Sequence, residues 1–169
     1  MNRPILFYLT FISTILVNAL FGQELKTEKI ADITVNLNPP TIAGSKIIYT
    51  VKSGTVKGKI TGSVLPIGGD FASKIGDTNI KLDVREVIQT DDSATIYITK
   101  SGFIYADSSS FNKIVTGQGK DLSSDKYYFR ATYIFETNSK KYEWLNHTVG
   151  IAIGTITESG ISYKLFAVK

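Results

Sequence analysis

The sequence predicts an all-β fold: a single antiparallel up-and-down β-barrel of about eight strands, preceded by a signal peptide. Three observations lead there. From Glu28 onward the apolar residues recur with period two in short runs, the spacing of half-buried strands and not the 3.6 of helices. Clusters of Gly, Asp, Asn and Ser separate the runs, and these are the residues that turns favour. The loops Thr90-Asp91-Asp92-Ser93, Asn138-Ser139-Lys140-Lys141 and Thr157-Glu158-Ser159-Gly160 are short and polar, so the strands they join are antiparallel neighbours. A meander of such strands loses its exposed edges by closing on itself.

The chain begins with Met1-Asn2-Arg3, and Pro4 to Phe21 is apolar except for Thr10, Ser13, Thr14 and Asn18, with no charge until Glu24. This is the order of a secretory signal. A membrane anchor fits less well, because the run is interrupted and Gln23-Glu24, not a basic flank, follows it. Small residues allow cleavage after Ala19 or Gly22, and Gly22 is preferred. The domain is then 23–169, 147 residues, with no stable membrane span after signal removal. A chain of that size buries roughly 70% of its unfolded surface around one core.

The strands read along this domain are Ile30–Leu37, Lys46–Thr55, Gly58–Leu65, Asn79–Thr90, Ala94–Tyr105, Tyr127–Thr137, Tyr142–Gly154 and Ser162–Val168. Pro39-Pro40 separates the first from the second, and Pro66 with Gly68-Gly69 predicts a bend, bulge or corner after the third. The one long connection, Asp107 to Asp125, has room for a helical turn packed over a barrel end.

Composition excludes several classes. Hydrophobic residues are 43% and charged residues 20% of the chain, unlike a disordered, collagen-like or multi-span membrane protein. The net charge of +4 is small, and no Lys/Arg run exceeds two residues, so no nucleic-acid partner is expected. With no cysteine and one histidine, disulfides, thiol catalysis and a Cys- or His-rich metal site are excluded, and no cofactor or metal is expected. Export without cysteine points to a bacterial envelope, periplasmic or secreted.

Alternation sorts the side chains into faces. Ile80, Leu82, Val84, Glu86 and Ile88 share one face of their strand, opposite Lys81, Asp83, Arg85, Val87 and Gln89. Tyr127, Phe129, Ala131, Tyr133 and Phe135 share another, opposite Tyr128, Arg130, Thr132 and Ile134. In Ala94–Tyr105 the apolar face is Ile96 and Ile98, with Phe103 as an extension, and Tyr97 and Thr99 lie opposite.

The mature chain has 16 Lys and only two Arg, Arg85 and Arg130. An arginine kept against that bias marks a position that needs a planar, bidentate donor. Arg85, with Asp83 two residues away, is read either as part of an anion-recognising or acid–base pocket or as a structural ion pair at the surface. Trp144 is read as a core or pocket-wall aromatic, and His147 as a strand residue near a barrel end. Gly54, Gly58, Gly62, Gly68 and Gly69 are read as bends and bulges, since a phosphate cradle needs a glycine loop opening a helix.

Several of these residues fall in an ordered set of short motifs. They are Ser53-Gly54-Thr55-Val56-Lys57-Gly58, Val64-Leu65-Pro66-Ile67-Gly68-Gly69-Asp70-Phe71, Leu82-Asp83-Val84-Arg85, Thr90-Asp91-Asp92, Ile96-Tyr97-Ile98, Tyr128-Phe129-Arg130, Phe135-Glu136-Thr137 and Tyr142-Glu143-Trp144-Leu145-Asn146. From about Ile47 to the C-terminus the chain thereby resembles the family of domains of unknown function numbered 3237. The family's usual Gly-Gly-Ala-Asp-Trp stands here as Gly68-Gly69-Asp70-Phe71, and its Asp-Asp-Gly turn as Asp91-Asp92-Ser93. The resemblance implies a lipocalin-like β-barrel and no established reaction.

The leading functional expectation is an exported barrel that binds a small, partly apolar or anionic molecule, with Asp70, Asp83, Arg85, Tyr97, Tyr128, Arg130, Trp144 and Asn146 as candidate contacts. The second is an isomerase, cyclase or hydrolase on the same scaffold, with Asp83 or Asp70 as general base, Tyr97 as proton donor and Arg130 as oxyanion stabiliser. The third is a structural or interaction module whose barrel is filled by side chains.

Overall fold

A computed structural model describes residues 24–169, and the expected signal segment, 1–22, lies outside the described residues. The strands are β1 (Thr27–Leu37), β2 (Thr41–Ala43), β3 (Lys46–Gly58), β4 (Gly62–Ile75), β5 (Asn79–Thr90), β6 (Thr95–Ala106), β7 (Tyr127–Glu136), β8 (Gly150–Ile156) and β9 (Gly160–Val168). Each pairs antiparallel with its neighbour, and β1 pairs with both β9 and β3. Eight strands therefore close into the expected barrel, with β2 a three-residue extension hairpinned onto β3. No helix among the described residues is long and apolar enough to cross a membrane.

The alternation read from sequence sets the interior. Ile80, Leu82, Val84 and Ile88 of β5, Ile96, Ile98 and Ile104 of β6, and Phe129, Tyr133 and Phe135 of β7 are all buried. Phe103 departs from the expectation: it has the parity of Tyr97 and points outward, 45% exposed. The inward series on β6 is instead Ile96, Ile98, Lys100, Gly102 and Ile104, in register with the inward residues of β5 and β7.

The aromatic residues of β7 and β9 fit because β8 presents Gly150, Ala152 and Gly154 to the interior. A Cβ at Gly154 would lie 2.6 Å from the Phe129 ring, and one at Gly150 would lie 2.9 Å from Tyr133 Cβ. Phe129 packs edge-on against Tyr163 with ring centroids 5.4 Å apart, so it has little freedom to retreat. Gly154→Val is expected to cost about 2–3 kcal/mol through overpacking, measured as a lower urea midpoint at unchanged slope.

Tyr142–Gly154 is not one strand. Lys140–His147 forms a 3-10 segment and β8 begins only at Gly150. A three-residue repeat places Tyr142 and Leu145 on one face, where both are buried and plug one barrel end. His147 thus belongs to the plug and not to a strand, and Asn138–Lys141 leads into the plug instead of forming a tight hairpin. Two brackets fix it. The Tyr142 hydroxyl and Lys141 Nζ donate to Asp92 at 3.1 and 2.7 Å, and Asn146 exchanges two hydrogen bonds with the Thr137 backbone. The hydrogen bonds from Lys141, from the Thr90 hydroxyl and from Tyr142 hold the Asp92 carboxyl far below the usual carboxylate range. At the adjoining β5–β6 turn Ser93 has φ 66°, the left-handed region that glycine occupies without strain.

The opposite end is covered by the long connection. Its helix, α1 (Ser108–Val115), is capped by Asp107, whose Oδ1 accepts the Ser109 and Ser110 N–H groups at 3.0 Å, satisfying donors that the first turn leaves open. Phe111 of α1 is buried against the barrel. Lys120, beyond the helix, pairs with Glu158 in the β8–β9 turn at 2.9 Å, tying the cover to the rim.

Candidate functional site

Two irregularities turn polar side chains into the covered end of the barrel. Between Thr50 and Gly54 the β3–β4 register shifts. Below that point the inward residues of β3 are Gly54 and Val56, and above it they are Tyr49 and Val51, a change of parity that only a bulge allows. On β4 the Pro66–Gly68 stretch is a second bulge, with Gly68 at φ 86°, as the sequence predicts. Asp70 follows it on the inner face, directly across from Tyr49.

Tyr49 and Asp70 lie at the wall of a cavity of about 330 Å³. Its mouth is ringed by Leu37–Pro39 at the end of β1, by Gly117 and Gly119 beyond α1, and by the β8–β9 turn. Leu82, Ile80, Ile104, Ile114 and Ile161 make the walls aliphatic. Asp70 is 7% exposed. Its Oδ1 accepts the Asp83 N–H at 2.9 Å, and no donor among the described residues reaches Oδ2. Burial pushes its carboxyl up to about 6, against the pull of the Asp83 N–H and the Lys100 charge, while the Glu86 and Asp83 charges push the same way as burial. Burial, and the nearby Asp70 charge, raise the Tyr49 phenol, so it stays a neutral donor at physiological pH.

Beneath this cavity lies a charge pair that the sequence reading left unassigned. Lys100 Nζ is 3.2 Å from both oxygens of Glu86, with Lys100 1% and Glu86 4% exposed. The ammonium also sits 4.2 Å from the Tyr163 ring centroid and 5.2 Å from that of Tyr133, favourable cation–π positions in a desolvated setting. The signal was present in the sequence: Glu86 and Lys100 each interrupt an apolar period-two series at an inward position. Tyr49 carried no such signal, because its inward orientation depends on the bulge.

The other expected site residues lie elsewhere. Asp83 and Arg85 face outward and pair with each other at 2.6 Å, both about half exposed, the surface ion-pair arrangement. Arg130 also faces outward. Its guanidinium lies 5.0 Å from the Tyr128 ring centroid and donates to the Phe129 carbonyl at 2.9 Å. It lines an outer groove with Lys81, Phe103 and Ile151. Tyr97 is on the same outer wall, but Arg130 is in register with Phe103, six residues further along β6, roughly 20 Å away at 3.3 Å per residue. Asp83, Arg85, Tyr97 and Arg130 therefore do not meet at one cavity. Trp144 stands 38% exposed on the plug and lines no part of the mouth cavity. Asn146 brackets Thr137 at the closed end. Of the expected residues, Asp70 alone lies at the mouth cavity. Among the described residues no three His, Asp or Glu side chains come together as a metal site would need.

Residues 25–168 match the family described as protein of unknown function (DUF3237). The chain belongs to this family. The match begins earlier than the Ile47 suggested by the motifs and takes in β1, the strand that closes the barrel. A UPF0311 protein of Clostridium acetobutylicum is 28% identical over 154 residues, which covers 87% of this chain and 96% of that protein. A crystal structure of a conserved protein of unknown function from Rhodopseudomonas palustris superposes with a TM-score of 0.82 at 27% identity, covering 88% of this chain and 99% of that one. A beta-barrel like protein from Acinetobacter baumannii does so with a TM-score of 0.75 at 28% identity, covering 88% and 98%.

Proposed function

We propose that this DUF3237 barrel binds a small, mainly apolar molecule in its mouth, with one polar group of the ligand directed at Asp70 and Tyr49. The mouth cavity carries the reading: its volume of about 330 Å³ lies within the range of small-molecule sites, and aliphatic walls with a few convergent polar groups are their usual make-up. The charge of the site narrows the ligand. The nearest cation, Lys100, is already paired with Glu86, and Arg85 and Arg130 are outside, so Asp70 leaves the interior net negative above about pH 6. A neutral polar group, a hydroxyl that donates to Asp70 or an enolisable carbonyl that accepts from Tyr49, fits this environment, and a carboxylate does not.

A two-ring phenol, 2-naphthol, is a suitable fluorescent probe. Wild-type protein is expected to bind it saturably. Ala72→Phe, which projects a ring into the cavity from β4, is expected to weaken binding at least tenfold while keeping the β-rich circular dichroism spectrum. Binding that is unsaturable, or unchanged in the folded variant, would refute the mouth as the site.

A further inference from the structure

We propose that Asp70 and Tyr49 form a proton-transfer pair, Asp70 as general base and Tyr49 as oxyanion donor, acting on an apolar, enolisable carbonyl compound held in the mouth cavity. The inference rests on the reading of that cavity as the ligand site and gives it a reaction. The two residues are direct cross-strand partners on the inner face of β3 and β4, a relation that sets their Cβ atoms about 5 Å apart. Both lie at the same cavity. One group is an acceptor with a free oxygen, Oδ2, and the other a phenol kept protonated. A ligand carbonyl placed against the phenol brings its α-carbon toward the carboxylate.

The step balances within the site. The Asp70 carboxylate takes a proton from the α-carbon. The C–H electron pair becomes a C=C bond as the carbonyl π pair moves to oxygen, and the resulting enolate oxygen is stabilised by the Tyr49 O–H. Asp70, now neutral, returns the proton to the α-carbon or, in a β,γ-unsaturated ketone, to the γ-carbon, which moves the C=C bond into conjugation and completes an isomerisation. A carboxylate base of modestly raised pKa beside a tyrosine donor is an established combination for this chemistry. Asp70 titrates near 6, so it is mostly ionised at pH 7 yet basic enough to accept a carbon-bound proton. The groups facing it are Glu86 on β5, Lys100 on β6, Tyr49 on β3 and Tyr163 on β9, and the Asp83 charge acts from the outer face of β5. The Lys100–Glu86 pair contributes no net charge, and the aliphatic walls limit the water that would compete for the enolate.

The test uses 2-tetralone, a two-ring ketone with acidic α-hydrogens, in D2O. Its binding is followed by saturation-transfer NMR and its α-hydrogen exchange by loss of the proton signal. Wild-type protein is expected to accelerate exchange above buffer, with a protein-dependent rate that rises through about pH 6 as Asp70 ionises. Asp70→Asn should lower that rate at least tenfold with binding retained. Tyr49→Phe should lower it severalfold, also with binding retained, since the ring is kept. If 2-tetralone binds but exchanges equally fast with wild type and Asp70→Asn, the proton-transfer pair is overturned and the ligand site stands. If neither 2-tetralone nor 2-naphthol binds, the ligand site is overturned and the reaction with it.

Discussion

Lys100→Met is expected to destabilise the barrel by about 3–5 kcal/mol at neutral pH, the largest effect of any single substitution considered. Methionine retains most of the lysine's volume, so little of that loss comes from packing. It comes from Glu86, which is 4% exposed and has Lys100 as its hydrogen-bonding partner. A buried carboxylate without its cation carries an uncompensated desolvation cost. The loss of the ammonium from between the Tyr163 and Tyr133 rings adds a smaller amount. The double variant Lys100→Met/Glu86→Leu removes both charges and is expected to recover most of the loss, because apolar replacement of a buried pair is commonly neutral or stabilising. Urea denaturation of the wild type, the single variants Lys100→Met and Glu86→Leu, and the double variant forms a double-mutant cycle. A Lys100→Met loss no larger than that of the double variant would show that the pair does not set the cost.

The same two residues show how far the sequence can be read. Glu86 and Lys100 occupy positions that period-two alternation places inside, and that inference holds along β5 and β7 and, with Phe103 moved to the outer face, along β6. The pairing of the two charges across neighbouring strands also requires the register, which no alternation pattern contains. Strand direction and sequential order were readable because short polar loops leave little choice of neighbour. Three features escaped for definite reasons. The plug Lys140–His147 has apolar residues at Tyr142 and Leu145, a spacing of three, inside a segment whose other residues continue smoothly into β8. Tyr49 reaches the interior through a bulge whose signature in β3 is only Lys52-Ser53, residues equally at home on an exposed strand. Arginine scarcity identified two specific positions, Arg85 and Arg130, but a planar donor is also suited to a surface ion pair and to stacking on Tyr128, which is how the structure uses them. Residue type pointed to interactions, and the side of the wall on which they occur was set by strand parity.

Asp70→Asn is expected to make the protein more stable at pH 7 to 8, by about 2–3 kcal/mol, while impairing the site. The folded-state pKa of Asp70 is raised from 3.8 to about 6, so between those values the folded protein binds more protons than the unfolded chain. Stability therefore falls as pH rises through that window, and above about 6 the full cost of burying the carboxylate is present. One pKa unit corresponds to about 1.4 kcal/mol, which bounds the cost at roughly 3 kcal/mol. Asparagine cannot ionise, and its carbonyl oxygen can keep the hydrogen bond from the Asp83 N–H. Denaturation at pH 4.5, 6 and 7.5 should show the variant's advantage over wild type growing across the series. Curves that remain parallel would show that Asp70 does not titrate in this range. At lower pH the contribution of Asp92 runs in the opposite direction: its depressed pKa supplies stability above the unfolded value, and this is lost as acid protonates it and frees the plug residues Lys141 and Tyr142 from it. Asp70 and Asp92 thus differ in what they contribute. Asp92 stabilises the fold that contains it, whereas Asp70 costs stability at neutral pH in a position where an apolar or amide side chain would fit. A carboxylate carried at that cost in the wall of a cavity is the stability–function trade-off that the proposed action on a ligand entails.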